Sequence, residues 1–137
     1  MEMLAVHHVK AGQGRFAMEA IATQSDDGVN VYLGGGEKPH IGTVVLCQPR
    51  QSLKTEGSLS QTTSTINLMG HKDDGVGVPM AQCLCVTLEV PVVVTAGVHI
   101  AAAHADDIKA LLKVAEEITC TLLELLLAES EMEEMKI

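Results

Sequence analysis

Four ionisable side chains stand in a row within the run Gly70–Asp74, whose sequence is GHKDD. An imidazole, an ammonium group and two carboxylates can exchange protons, bind an anion or hold a cation, depending on their orientation. The run follows a Ser/Thr-rich segment typical of a β-strand and precedes an apolar pattern typical of a helix. Because loops carried by a rigid scaffold are where binding chemistry usually lies, this strand-to-helix corner is the predicted functional site.

The corner has features of an anion-binding site. Lys72 supplies a cation, Gly75 permits close backbone approach, and a helix entered at Pro79 would aim free N–H groups towards an anion. Hydroxyl donors stand on the preceding strand, so the predicted cofactor-binding residues are His71, Lys72, Asp73, Asp74, Gly75, Ser64 and Thr65. A plainer interpretation is that Lys72 pairs with a neighbouring aspartate at a solvated turn, and the spacing does not decide between the two.

Histidines give a second candidate constellation. Three of the six lie close to predicted strand ends, namely His40, His71 and His99. Neutral imidazole is a common metal ligand and strand ends can converge on one pocket, so this trio is a candidate divalent-metal site. Separate hydrogen-bonding roles for the three rings fit the same pattern, and that alternative stays open.

The elements that must position these residues can be read from hydrophobic periodicity. Period-two alternation predicts strands at residues 15–23, 29–33, 40–47 and 61–69, then helix 78–88, a β-branched strand at 92–95 and a helix from 106 to 127. The order ββββαβα predicts an α+β domain with a mostly antiparallel sheet and two helices. Residues 1–14 lack sustained periodicity and are expected to form an arm or a short strand.

The chain is expected to be a single domain over residues 1–137, with an N-terminal arm (1–12), a core (13–127) and an acidic C-terminal end (128–137). In the last helix, extra leucines widen the apolar face beyond what one sheet should cover; these are Leu123, Leu125 and Leu127. This excess predicts a partner helix or subunit and therefore a homodimer.

Charge and composition exclude several classes of function. The net charge is −9, and half of the 18 acidic residues lie from Asp106 onward. Nucleic-acid binding is disfavoured because phosphate contacts need clustered Lys and Arg. No apolar run is long enough for a transmembrane helix, and the four cysteines lack zinc-finger spacing, so we expect a cytoplasmic protein with reduced thiols and no membrane partner.

Three segments together resemble a known family: His40–Gly42 (HIG), Gly70–Asp74 (GHKDD) and Ala96–Ile100 (AGVHI). In this order they are similar to the small prenylated-flavin chaperones, the LpdD-like proteins, which are also described as an accessory component of gallate decarboxylase. The resemblance covers roughly residues 13–127. It implies a fold like that of proteasome-assembly chaperones, which are small α+β domains that dimerise.

The resemblance also implies an accessory role rather than catalysis. The expected function is to bind prenylated FMN, or FMN, for maturation of a UbiD-type decarboxylase, with a flavin prenyltransferase as cofactor source. The resemblance carries over to His40, His71, Lys72, Asp73, Asp74 and His99. Two rivals remain: a small metal-dependent enzyme that uses the His/Asp cluster, and a dimeric assembly factor without a ligand.

Overall fold

The computed structural model describes residues 4–70 and 73–135. His71 and Lys72 therefore lie outside the described residues. The strands are β1 (Ala5–Ala11), β2 (Met18–Ser25), β3 (Gly28–Gly36), β4 (Thr43–Gln51), β5 (Leu59–Asn67) and β6 (Val92–His99). The helices are α1 (Asp74–Leu88) and α2 (Ala105–Glu134), and a 3₁₀ turn (Gly14–Phe16) precedes β2.

The strands form one mixed sheet in the order β1-β2-β3-β6-β4-β5. Its pairs are antiparallel except for β3 and β6, which run parallel. The predicted α+β class with a mostly antiparallel sheet and two helices is confirmed. The segment left open as an arm or short strand contributes β1, which adds one strand to the predicted order.

Both helices pack on the same face of the sheet. Helix α1 contacts β4, β5 and β6, whereas α2 contacts β1, β2 and α1. Period-two alternation sends one set of side chains into the core beneath the helices, and Ala20, Leu33, Val45 and Val94 are fully buried there. The opposite face, which we call the open face, carries Ile21, Tyr32 and Val44, and no described helix covers it.

Helix α1 begins earlier than predicted, at Asp74 rather than Val78. The backbone N–H groups of Val76 and Gly77 donate to the Asp73 carbonyl, which closes the first turn around this residue. Pro79 consequently lies inside the helix rather than in its first turn, and the missing N–H leaves the Gly75 carbonyl without its helical donor. This is tolerated because Gly75 is exposed to solvent.

Strand β4 begins later than predicted, at Thr43 rather than His40, and continues through Pro49 to Gln51. Proline is accepted because β4 pairs with β6 only as far as Cys47, so Pro49 falls where β4 has become an edge strand. His40 therefore lies in the connection between β3 and β4, which is more adaptable than a strand.

Helix α2 uses most of its apolar face inside the protomer. Leu122 and Leu126 are fully buried, Leu123 packs against the core, and Leu125 remains 40% exposed. Part of the apolar excess stays at the surface of α2, since Ile108 and Leu112 are also exposed. The buried Gln24 connects β2 to α2 by a hydrogen bond, in which its amide group donates to the Leu126 carbonyl oxygen.

The described cysteines are all free thiols, and Cys47 and Cys85 are buried. Burial, together with the neighbouring Cys47, raises the pKa of the Cys85 thiol to about 11. Such thiols act as core side chains rather than nucleophiles. Neither described helix is long and apolar enough to cross a membrane.

The packing of α2 predicts different costs for two neighbouring leucines. Leu122→Ala should lower the free energy of unfolding by about 2–5 kcal/mol, because it removes transfer free energy and leaves a cavity. Leu125→Ala, at a half-exposed position, should cost less than about 1 kcal/mol. Urea denaturation followed by circular dichroism measures both, and equal losses would contradict the assignment of Leu122 to the core.

Candidate functional site

The site lies at the carboxyl ends of the parallel strands β3 and β6. Because β6 is inserted between β3 and β4, the chain leaving β3 must cross the end of β6 before it enters β4. Residues 37–42 make this crossing, and the N-terminus of α1 lies beneath it.

Asp73 and His40 form the centre of the site. The His40 Nε2 atom lies 3.0 Å from Asp73 Oδ2, and the other carboxyl oxygen, Oδ1, accepts a hydrogen bond of 2.8 Å from the Val98 N–H. The side chains of Asp73 and His40 are only 7% and 16% exposed. A carboxylate at this depth needs such partners, since burying an unpaired charge is costly.

Both ring nitrogens of His40 are engaged. Nδ1 lies 3.1 Å from the Lys38 carbonyl oxygen, which can only accept, so Nδ1 carries a hydrogen. The Nε2 atom faces Asp73, so the ring connects the crossing segment with the start of α1.

Two glycines make room for this pair. A Cβ atom at Gly42 would overlap Asp73 Oδ2, and a Cβ atom at Gly97 would overlap the carbonyl oxygen of His40. The Gly42 N–H also donates to the Ala96 carbonyl oxygen at 2.9 Å, which holds the crossing segment against β6. The close approach of two backbones thus requires glycine at both positions.

Tyr32 holds the crossing segment from the open face. Its hydroxyl group donates a 3.0 Å hydrogen bond to the His40 carbonyl oxygen. Burial raises the pKa of Tyr32 above its ordinary 10.0, and the negative charges of Glu19 and Asp73 raise it further. The neutral phenol, which can donate, is therefore the form that the fold favours.

Part of the predicted histidine trio comes together. The rings of His40 and His99 lie 6.4 Å apart at their centroids and 77° to each other, and His99 is exposed. The third member, His71, lies outside the described residues. Within residues 4–70 and 73–135, no group of three or more His, Cys, Asp or Glu side chains is arranged to hold a metal ion. A metal at His40 would have to replace one of its two hydrogen bonds.

The structure separates the other predicted binding residues. Asp74 is the first residue of α1 and is half-buried, while Gly75 is exposed in the first turn. Ser64 and Thr65 are both exposed on β5, but successive strand residues face opposite sides of the sheet. A ligand on one face of β5 would meet only one of these two hydroxyls.

Sequence reasoning missed three residues of the site: Tyr32, Gly42 and Gly97. Gly42 and Gly97 lie within the HIG and AGVHI segments, but only the histidines of these segments were predicted to be site residues. Tyr32 is the sole tyrosine and occupies the outward-facing parity of its strand. An aromatic residue in an outward position was the available signal.

Comparison with solved structures defines the class of fold. A chain from the crystal structure of a chaperone complex for yeast 20S proteasome assembly matches with a TM-score of 0.58 and 16% identity. The match covers 92% of this chain and 97% of that chain, so the two proteins share a fold. The protein is therefore a small α+β domain with the fold of that chain.

The family follows from the sequence match. The model of the prenylated flavin chaperone LpdD-like domain matches residues 12–127, and the chain belongs to this family. Among curated proteins, none matches significantly. The predicted family is confirmed, and the His40–Asp73 pair lies within the matched region.

Removal of the Asp73 carboxyl group should destabilise the fold more than removal of the Asp74 carboxyl group. Asp73→Ala leaves the Val98 N–H and His40 without their partner, and we expect a loss of about 1–3 kcal/mol in the free energy of unfolding. Asp74→Ala changes the charge equally but affects only the helix terminus, so it should cost less than about 1 kcal/mol. Urea denaturation compares the two, and equal costs would contradict the role given to Asp73.

The sole tyrosine allows a direct pH measurement. Because the folded-state pKa of Tyr32 is raised, its tyrosinate absorbance should appear at higher pH in the native protein than in urea. The neutral phenol's contribution to stability is present below the unfolded pKa and is lost as pH rises through the folded one. An identical titration curve in native and unfolded protein would contradict the burial of the hydroxyl group.

Proposed function

We propose that this protein binds prenylated FMN and supports the maturation of a UbiD-type decarboxylase. The observation that carries the proposal is membership of the prenylated flavin chaperone LpdD-like family over residues 12–127. The cofactor would come from a flavin prenyltransferase, and the decarboxylase would receive it. An accessory role in the cytoplasm fits these partners, and the protein itself need not catalyse the decarboxylation.

The residues at the site fit a ligand with a flat apolar ring and a few polar atoms. Tyr32 gives an aromatic surface beside the crossing segment, whose His40 carbonyl oxygen its hydroxyl group contacts. The His40–Asp73 pair lies against the other side of the same segment and supplies its polar groups. Ligand sites in proteins combine a mostly apolar lining with a few placed polar groups.

The loading experiment is co-expression with a flavin prenyltransferase. Because no amino-acid side chain absorbs visible light, visible absorbance of the purified protein would come from a bound chromophore. We expect a flavin spectrum with the mass of prenylated FMN, transfer of the cofactor to an added apo-decarboxylase, and loss of retention in Asp73→Asn. A colourless protein after co-expression would overturn the proposal, whereas equal retention by Asp73→Asn would exclude the His40–Asp73 pair from binding.

The proposed working form is a homodimer in which two open faces pack together. A row across this face carries Ile21, Val44 and Ile66, of which Ile21 is 41% and Ile66 is 68% exposed. An apolar row is unusual for a sheet face that meets water, which normally carries polar side chains. Because the chain has a net charge of −9, the acidic helices of two copies repel each other. The apolar row of the open face carries no charge and therefore lacks that repulsion.

The dimer is tested by light scattering coupled to gel filtration. The wild type should have twice the chain mass of 14.5 kDa, and Ile21→Lys should be monomeric with an unchanged circular dichroism spectrum. Leu125→Lys is the matched control, since Leu125 is 40% exposed on α2. A wild-type monomer, or a dimer lost in Leu125→Lys but kept in Ile21→Lys, would contradict this interface.

A further inference from the structure

Two exposed thiols, Cys83 on α1 and Cys120 on α2, have no part in the site described above. Both are free and exposed, whereas Cys47 and Cys85 are free and buried. A thiol must be accessible to react with a small oxidant, so the exposed pair can undergo chemistry that the buried pair cannot. The two helices that carry the exposed thiols pack against each other.

The position of Cys83 around α1 directs it towards α2. Gln82 lies on the flank of α1 that faces β5, because its amide group donates a 3.0 Å hydrogen bond to Thr63 Oγ1. The buried face, which includes Ala81 and Leu84, packs on the sheet. An α-helix turns about 100° per residue, so Cys83 lies on the other flank, away from β5. That flank faces α2, since α2 covers β1 and β2 at the opposite side of the sheet from β5.

Cys120 lies on the matching flank of α2. Val114 faces the β1 edge, because a Cβ atom at Gly12 would lie 3.1 Å from Val114 Cγ1. The opposite flank, which faces α1, carries a half-buried row of every fourth residue: Thr119, Leu123 and Leu127. Cys120 borders this row on its solvent side. Both thiols therefore lie where the two packed helices meet the solvent.

Electrostatics indicates the same proximity. Burial raises the pKa of the Cys83 thiol, and the negative charge of a Cys120 thiolate raises it further, while a hydrogen bond with Thr87 lowers it. The influence of one exposed charge on another is screened over about 10 Å in physiological salt. The two thiols are therefore near each other, and Cys83 is protonated at neutral pH.

We propose that Cys83 and Cys120 form a reversible disulfide that joins α1 to α2 when a low-molecular-weight disulfide exceeds its thiol. A thiolate of the pair attacks one sulfur atom of the small disulfide, which releases one small thiol and leaves a mixed disulfide on the protein. The second cysteine thiolate then attacks the protein sulfur atom and releases the second small thiol. The protein loses two electrons and two protons, and the small disulfide gains them.

The disulfide fixes the helix that begins at the His40–Asp73 pair. Because Asp73 closes the first turn of α1, a bond at Cys83 ties the helix behind this residue to α2. Disulfides of reducing compartments are usually transient and respond to the redox state, which a bond between two exposed thiols can do. The bond needs no flavin, so it is independent of the proposed function.

The bond is tested on the reduced wild-type chain, which is incubated with excess oxidised glutathione, then denatured and alkylated with iodoacetamide. We expect the intact mass to show two alkylated cysteines instead of four and no attached glutathione. The temperature of unfolding should rise by about 5–15 °C, because a cross-link between distant residues restricts the unfolded chain, and dithiothreitol should reverse the shift. The reaction should speed up as the pH rises above neutral, because the raised pKa of Cys83 leaves little thiolate at neutral pH.

Single substitutions identify the bonded thiols. Cys83→Ser and Cys120→Ser should each abolish both the loss of two alkylation sites and the thermal shift. Cys85→Ala, two residues further along the same helix, is the matched control and should keep both, because Cys85 is buried. A wild type that keeps all its alkylation sites, or that stops at a stable mixed disulfide, overturns the proposal. A disulfide that persists in Cys83→Ser, or one that joins two chains in non-reducing electrophoresis, overturns it as well.

Discussion

The carboxyl group of Asp73 ties together three parts of the chain that are distant in sequence. One oxygen accepts the Val98 N–H at the end of β6, and the other meets the His40 ring on the segment between β3 and β4. The backbone carbonyl of the same residue accepts the N–H groups that close the first turn of α1. The start of a helix, the end of a central strand and a crossing loop thus depend on one buried residue.

That dependence follows from the order of the strands. A sheet in which β6 separates β3 from β4 forces the chain across the end of β6, and the crossing needs both space and anchorage. Gly42 and Gly97 provide the space, and the Tyr32 hydroxyl group and Asp73 provide the anchorage from opposite faces of the sheet. The glycines are consequently as much a part of the site as the ionisable groups.

Because both helices lie on one face of the sheet, the two faces differ in burial. The covered side buries the aliphatic core, which must be built without Trp and with a single Phe. The open side carries Tyr32, Ile21 and Val44, which no described helix covers. The side of the sheet away from the helices is therefore the one that a second molecule can reach.

The sequence by itself determined the fold class, the family and the importance of the GHKDD corner. Hydrophobic periodicity is a local property, so it predicted the two helices and most of the strands. Because of Pro79 the predicted start of α1 was too late, and because of Pro49 the predicted end of β4 was too early. Only the tertiary structure decided which residues meet. Asp73 contacts His40, which lies 33 residues away in the sequence, because β6 inserts between β3 and β4. No local sequence pattern encodes this strand order. The opposite faces of Ser64 and Thr65, in contrast, follow from strand alternation, which is local and can be read from the sequence.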